Sequence, residues 1–161
     1  MYTEIERKWL VDIDKIPYDL TKEKGIELQQ AYVSFSPTIR IRSIDSESFV
    51  LTVKGEPAHE SALQREEFEI RISAEEYAFL MKKTEGTVIT KTRYKIKEGA
   101  YTQEIDLFHG ELEGLCYLEI EFPSVEEAES YPNPEWVKRD VSKLKDYTNG
   151  SLAKQGMPKD I

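Results

Sequence analysis

Acidic side chains recur at every second position in two short segments of this chain. Glu4 and Glu6 are two residues apart, and Glu119 and Glu121 repeat this spacing near the other end. Carboxylates at positions i and i+2 of a β-strand lie on one face, where their oxygens can share a hard divalent cation. The two pairs therefore predict a metal site, provided that both lie on strands.

Basic side chains show the same spacing elsewhere in the chain. Arg40 and Arg42 form one row, and Lys91 and Arg93 form another. Arginine binds phosphate oxygens in bidentate geometry and keeps its charge, whereas lysine acts as a point charge. Rows of this kind predict a site that holds phosphate oxygens.

Nearly every predicted strand carries such a charged row opposite an apolar face. For one strand alone, the simplest explanation is a solvated face, and charged rows also protect sheet edges from aggregation. Like charges in a row repel, however, and an exposed ion pair returns only ~0–1 kcal/mol. A closed barrel with a charged lumen accounts for the whole set, because bound ions of opposite sign neutralise the rows. Its apolar faces then point outward and are covered by helices.

Period-2 alternation predicts a mainly β chain (α+β) with about eight strands and a few helices. Short connections between several of the strands favour antiparallel neighbours. A capping box at residues 73–76 starts one helix, and Ser124 starts a weaker one. Residues 141–147 are a candidate third helix, followed by an Asn-Gly turn at 149–150. The predicted strands are residues 3–11, 28–36, 38–44, 48–54, 63–72, 87–97, 100–108 and 116–122.

The bulk composition limits the class of protein. The 161 residues suit one domain, residues 1–161, and carry a net charge of −9 from 31 acidic and 22 basic residues. This acidic balance argues against binding to nucleic acid or to an anionic membrane surface. The single cysteine, Cys116, allows no intrachain disulfide. The charged first residues and the lack of an apolar run of ~20 residues predict a cytoplasmic protein.

Taken together, these segments resemble the CYTH superfamily, also called triphosphate tunnel metalloenzymes. Glu4-Ile5-Glu6-Arg7-Lys8 is similar to the family's ExExK signature. The resemblance covers residues 3–155 and implies an eight-stranded antiparallel β-barrel that forms a charged tunnel flanked by helices. The other similar segments are Ile39-Arg40-Ile41-Arg42, Leu51-Thr52-Val53-Lys54-Gly55, Arg65-Glu66-Glu67-Phe68-Glu69, Lys91-Thr92-Arg93-Tyr94, Glu104-Ile105-Asp106 and Leu118-Glu119-Ile120-Glu121.

The resemblance also implies roles for individual residues. Glu67 and Glu69 would orient the attacking water or support a second metal, and Lys91 would join them in catalysis. The metal would be Mg²⁺ or Mn²⁺, since both suit oxygen ligands. Its ligands would be Glu4, Glu6, Glu119 and Glu121. The residues that bind the triphosphate would be Lys8, Arg40, Arg42, Lys54, Arg65, Lys91 and Arg93.

The implied activity is metal-dependent hydrolysis of a small-molecule triphosphate. The first substrate to consider is inorganic triphosphate (tripolyphosphate), split to pyrophosphate and phosphate, with nucleoside triphosphates as further substrates. Within the same fold, a class IV adenylate cyclase or a thiamine triphosphatase remains an alternative. A non-catalytic module that binds polyphosphate or nucleotide would need the basic rows but not the carboxylate pairs. The outward apolar faces are compatible with a homodimer.

Overall fold

The chain folds into nine β-strands, in a computed structural model that describes residues 1–161. The strands are β1 (Tyr2–Leu10), β2 (Ile26–Phe35), β3 (Thr38–Ile44), β4 (Ser48–Lys54), β5 (Gln64–Ile72), β6 (Glu85–Glu98), β7 (Tyr101–Phe108), β8 (Cys116–Glu121) and β9 (Arg139–Asp140). Neighbours follow the order β5-β4-β3-β2-β6-β7-β8-β1-β9, and pairing of β1 with β5 closes the circle. The expected eight-stranded antiparallel barrel is therefore confirmed, with β9 as a short addition beside the end of β1.

Alternation separates an apolar layer outside the barrel from a charged lumen inside it. On β1, Ile5 and Trp9 belong to a buried cluster outside the barrel, together with Ile120 of β8. Burying one large apolar side chain stabilises a fold by about 1.5–3 kcal/mol, so this layer holds the closed sheet together. Glu6 and Lys8 alternate with these residues and therefore lie on the lumenal face.

The lumen ends in an apolar cluster at one end of the barrel. Leu10, Ile89 and Phe108 lie two residues beyond a lumenal charge on β1, β6 and β7. They pack with Leu152 of the C-terminal segment in a cluster of 11 buried residues. Side chains therefore fill this end. We call the opposite end the open mouth, and its exposed residues are Tyr2, Glu69, Arg71 and Lys95.

Three short α-helices lie outside the strands, namely α1 (Ala74–Met81), α2 (Val125–Ser130) and α3 (Asn149–Gln155). Helix α1 begins at the predicted capping box, in which Ser73 and Glu76 each accept the other's backbone N–H. Tyr77 of this helix packs against Ile41, so α1 covers the outer face of the sheet. The predicted start of α2 at Ser124 is likewise confirmed. None of the helices is long and apolar enough to cross a lipid bilayer.

The prediction of a helix at 141–147 and a turn at 149–150 is wrong. Only Lys145–Tyr147 forms a single 3₁₀ turn, and α3 begins where the turn was expected. The physical reason is a helix cap, because the Thr148 hydroxyl accepts the backbone N–H of Ser151. An Asn-Gly pair favours a tight turn when two strands flank it, and here no strand flanks it.

Arg7 lies on the outer face of β1 and connects this strand to the segments that follow β8. Its guanidinium donates to the carbonyl oxygens of Ala128 and Tyr131 at 2.6 and 2.9 Å. It also donates to the side-chain oxygens of Asn133 and Asp140 at 2.8 and 2.6 Å. One buried side chain therefore satisfies acceptors at the end of α2 and on β9 together.

Replacing Arg7 with Met should destabilise the protein by about 3 kcal/mol, because these buried acceptors would lose their donor. The free energy of unfolding, measured by urea denaturation, tests this. Lys97→Met, at an exposed position of β6, is the matched control and should change stability by less than about 0.5 kcal/mol. Equal stability of the two variants would contradict the role assigned to Arg7.

Candidate active site

All eight barrel strands contribute charged or polar side chains to the lumen. The register places them there, because residues directly opposite each other in an antiparallel pair point to the same face. Lys54 lies opposite Glu67, for example, and Lys8 lies opposite Glu119. The predicted site residues on this face are Glu4, Glu6, Lys8, Arg40, Arg42, Lys54, Arg65, Glu67, Glu69, Lys91, Arg93, Glu119 and Glu121.

Asp106 neutralises two of the lumenal cations. It lies 2.7 Å from Lys91, with 1% and 0% of the Lys91 and Asp106 side chains exposed. Arg93 donates two hydrogen bonds to the same carboxylate, at 2.8 and 2.9 Å. Burial alone would raise the pKa of Asp106, but the charges of Lys91 and Arg93 outweigh it and hold that pKa far below its usual range. Asp106 is therefore ionised despite its complete burial.

Lys91 is nevertheless not fully stabilised as a cation. Burial lowers the pKa of Lys91 to about 8, against the opposing effect of Asp106 and with the help of nearby Arg93. Arg93 also lies 3.4 Å from Glu104 and 3.6 Å from Glu119, so the main cause of the lowered pKa of Lys91 is its burial. A lysine with a pKa close to neutral can exchange a proton under physiological conditions.

Lys54 connects carboxylates across the seam where the barrel closes. Its Nζ atom lies 3.1 Å from Glu4 on β1 and 3.7 Å from Glu67 on β5. Burial, together with the charge of Glu4, raises the pKa of Glu67 above its usual value. A single lysine therefore serves two carboxylates, and neither of them is fully neutralised.

Three lumenal cations form no ion pair and donate hydrogen bonds only to neutral groups, although one of them, Lys8, lies opposite Glu119 in the register. Lys8 donates to the carbonyl oxygen of Tyr147 at 3.3 Å. Arg40 donates to the Thr52 hydroxyl at 3.1 Å, and its Nε atom is buried without a partner. The third cation is Arg42. Cations without an ion-pair partner have donors free for the oxygens of an anion.

Arg42 is held in place by an amide instead of a carboxylate. Its Nε and Nη2 atoms both donate to Oε1 of Gln30, at 2.9 and 2.7 Å. Burial, with Arg40 and Arg93 nearby, lowers the pKa of Arg42 to about 9. An anion in the lumen would relieve this shortage of negative charge.

Carboxylates face one another on β1, β7 and β8. Glu6 lies opposite Glu121 in the register of β1 and β8, and Glu104 lies opposite Glu119 in that of β7 and β8. Burial raises the pKa of Glu6 to about 8, with further contributions from Glu119 and Glu4. The Oε1 atom of Glu119 is buried without a hydrogen-bond partner. This set of oxygen donors suits a hard divalent cation.

The carboxylates do not already surround such a cation. No group of three or more acidic, histidine or cysteine side chains converges closely enough to hold a metal ion. Rotation of the side chains would therefore have to accompany binding. The assignment of Glu4, Glu6, Glu119 and Glu121 as metal ligands stays a prediction.

Two predicted residues lie near the rim of the lumen. Arg65 donates to the carbonyl oxygen of Gly55 at 2.9 Å and to the Thr38 hydroxyl at 3.4 Å. Glu69 is exposed at the open mouth. Both share the lumenal face with the other candidates, but their contacts place them away from the pairs around Asp106.

Two neutral residues of the lumen, Gln30 and Asn149, were not predicted from the sequence. Gln30 is fully buried, and its amide nitrogen donates to Oδ1 of Asn149 at 3.2 Å. The same oxygen accepts from Lys91 at 2.9 Å. Gln30 does not belong to a charged row, because residues 28 and 32 on the same face are Leu and Tyr. Only the period-2 alternation of β2 indicated that its side chain lies on the lumenal face. Asn149 reaches the lumen only because α3 folds back over the barrel end.

The fold and the lumen together define a class of protein, a closed antiparallel barrel whose interior carries rows of cations and rows of carboxylates. The chain belongs to the CYTH domain family, whose model matches residues 2–152. The family resemblance noted from the motifs is thereby confirmed.

Two proteins that are similar to this chain over nearly its full length are both named inorganic triphosphatase. The chain is 35% identical to an inorganic triphosphatase of Nitrosomonas europaea over 157 residues, which covers 94% of this chain and 97% of that protein. It is also 35% identical to an inorganic triphosphatase of Acetivibrio thermocellus over 156 residues, covering 96% and 95%.

Solved structures show the same fold. A crystal structure of an inorganic triphosphatase, 32% identical, superimposes with a TM-score of 0.66 over 95% of each chain. A structure from Bacillus halodurans described as a putative adenylate cyclase has a TM-score of 0.64 over 80% of this chain and 86% of that one. Because it is only 17% identical, that likeness shows the fold alone.

Replacing Glu6 with Gln should stabilise the metal-free protein by about 1–2 kcal/mol at mildly alkaline pH, because it removes one of the facing carboxylates. The pKa of Glu6 is raised from 4.5 to about 8, so Glu6 lowers stability as pH rises through this range. The gain should therefore disappear below pH 4.5 and be largest above about pH 8. Thermal unfolding in EDTA over a pH series measures it. The exposed variant Glu85→Gln is the control, and a gain independent of pH would contradict the explanation.

Proposed function

We propose that this chain hydrolyses inorganic triphosphate to pyrophosphate and phosphate with the help of a bound divalent cation. The observation that carries the proposal is the combination of three cations without carboxylate partners, Lys8, Arg40 and Arg42, with facing carboxylates in the same lumen. The names of the relatives that are 35% identical support the choice of substrate.

The cations of the lumen bind and orient the triphosphate in this proposal. Arg40 and Arg42 offer guanidinium donors to phosphate oxygens, and Lys8 adds a point charge. Lys54 and Arg93 already lie beside carboxylates, and they contact the substrate from those positions. The other proposed binding residues are Arg65 and Lys91.

The carboxylates hold the cation, and Mg²⁺ or Mn²⁺ fits their oxygen chemistry. The proposed ligands are Glu4, Glu6, Glu119 and Glu121. When bound, the metal polarises phosphoryl oxygens and offsets the charge that develops on them. The raised pKa of Glu6 supports this role, because it indicates a buried carboxylate whose cationic neighbours do not offset burial and the charges of Glu119 and Glu4. The Oε1 atom of Glu119 accepts no hydrogen bond, although Arg93 lies 3.6 Å away.

Glu67 and Glu69 are proposed to orient the attacking water. The water oxygen bonds to the terminal phosphorus as the bond from that phosphorus to the bridging oxygen breaks, and pyrophosphate leaves. Glu67 can accept the proton of the water, since burial raises its pKa. Lys91, with its pKa near 8, can supply a proton to the leaving group. No covalent intermediate is needed.

The alternatives are less well supported than the hydrolase. The likeness to the putative adenylate cyclase extends to the fold and not to the substrate. No relative described above is named for thiamine triphosphate. A module that only binds polyphosphate or nucleotide would have no use for Glu6 facing Glu121 inside the barrel.

Release of phosphate and pyrophosphate, and formation of cyclic AMP, should be measured from tripolyphosphate, ATP and thiamine triphosphate. Each assay should be run with Mg²⁺, with Mn²⁺ and with EDTA. We expect hydrolysis of tripolyphosphate in the presence of metal, slower turnover of the other two, and none in EDTA. Cyclic AMP as the main product would refute the hydrolase, and binding without any product would refute catalysis.

Replacing Glu6 with Gln should lower metal-dependent hydrolysis of tripolyphosphate by about 100-fold or more, since a proposed ligand loses its charge. Steady-state kinetics at saturating metal measure the loss, and circular dichroism checks that the barrel is intact. Glu85→Gln at an exposed site should keep full activity. Full metal-dependent activity of Glu6→Gln would remove Glu6 from the site.

A further inference from the structure

The end of β5 extends beyond its neighbour on one side. β1 pairs residues Tyr2–Ile5 with Gln64–Glu67 of β5, whereas β4 pairs with β5 as far as Ile72. Residues 68–72 are therefore paired on one side only. Four of them, residues 68–71, are exposed. An open strand edge of this kind is a template for pairing with another chain.

The hydrogen-bonding groups at this edge can be identified from their neighbours. The carbonyl oxygen of Leu63 accepts from Glu6 of β1, and that of Glu66 accepts from Gly55 beside β4. Odd-numbered residues of β5 therefore direct their backbone groups toward β1, and even-numbered residues toward β4. By continuation of this alternation, the N–H and C=O groups of Glu69 and Arg71 point out of the open edge.

The outer face of the same segment is apolar and exposed. Phe68 and Ile70 are 42% and 51% exposed. Their neighbours across the pair with β4 are Val53 and Leu51, which are also apolar. An exposed apolar face next to unpaired backbone groups suits a protein partner that supplies both a strand and apolar side chains.

We propose that a second copy of this chain pairs antiparallel with this edge, with the twofold axis at Ile70. In this register, Glu69 lies opposite Arg71 of the second copy, and Arg71 lies opposite its Glu69. Both pairs exchange backbone hydrogen bonds, because both residues direct their groups outward. On the outer face, Ile70 meets Ile70 of the second copy, and Phe68 meets Ile72 of the second copy.

The segment excludes the neighbouring registers. A shift by two residues would place Glu69 opposite itself or Arg71 opposite itself, and like charges directly opposite each other are destabilising. Any register that places odd-numbered residues opposite even-numbered ones cannot form the backbone bonds of an antiparallel pair. The sequence Phe68-Glu69-Ile70-Arg71-Ile72 is thus complementary to itself in a single antiparallel register.

The second copy also contributes to the surroundings of the open mouth. Arg71 of the second copy would lie next to Glu69, and this consequence rests on the proposed role of Glu69 in hydrolysis. The pairing itself does not depend on that role. The tests below measure association alone, so their failure would leave the proposed hydrolysis untouched.

Sedimentation or light scattering of the full chain over a wide concentration range tests the pairing. The wild-type protein should have twice the mass of one 18.7 kDa chain. Arg71→Glu places acid opposite acid and should raise the dissociation constant by about tenfold or more. The double variant Glu69→Arg/Arg71→Glu restores opposite charges and should restore the dimer. A wild-type monomer at all concentrations, or a dimer indifferent to Arg71→Glu, would overturn the proposal.

A cysteine at the twofold axis tests the register directly. Ile70 would form a non-hydrogen-bonded pair with itself, whose Cα atoms lie about 4.5 Å apart, a distance that a disulfide can bridge. Ile70→Cys should therefore yield a covalent dimer with oxidised glutathione. Native Cys116 does not interfere, because it is buried and burial raises its pKa to about 12.

The matched control for the cross-link is Ile13→Cys. Ile13 is 45% exposed, close to the value for Ile70. It follows the C-terminal end of β1, whereas the N-terminal end of that strand pairs with β5. This variant should remain monomeric on a denaturing gel under the same conditions. Cross-linking of Ile70→Cys no faster than that of Ile13→Cys would place the two copies elsewhere and refute the register.

Discussion

Neutralisation of charge inside a closed sheet is the constraint on which the rest of the structure depends. A lumenal side chain cannot turn to solvent, because its strand fixes the face on which it lies. Asp106 shows the effect, since it is ionised at complete burial only because Lys91 and Arg93 both pair with it. Where the protein provides no carboxylate, as at Arg40 and Arg42, a positive charge is left for a ligand.

Period-2 alternation is enough to predict the barrel and the face of each charged residue. Glu4, Arg42 and Glu119 all lie in the lumen, where the alternation places them. Alternation says nothing about the register between strands that are distant in the chain. The pairing of Arg93 with Asp106 depends on the register of β6 and β7, so the division between neutralised and free cations needs the structure.

The features that could not be predicted from the sequence are neutral lumenal residues and contacts between distant segments. Gln30 carries no charge and so stands out in no row, although it orients Arg42 through two hydrogen bonds. Asn149 enters the lumen on a helix whose start depends on the Thr148 cap, and the local Asn-Gly signal favoured a turn. The outward donors of Arg7 meet acceptors more than a hundred residues away in the chain. Local patterns cannot reveal contacts of this kind.

The apolar cluster that fills one end of the barrel affects how molecules pass through the site. Leu10, Ile89 and Phe108 leave no exit behind the charged rows, so whatever enters by the open mouth must retreat by the same route. An incoming anion cannot displace a departing one from behind. A bound anion therefore has to leave the lumen before the next one can enter. In a channel closed at one end, the rate at which a bound anion leaves sets an upper limit on the turnover rate of the site.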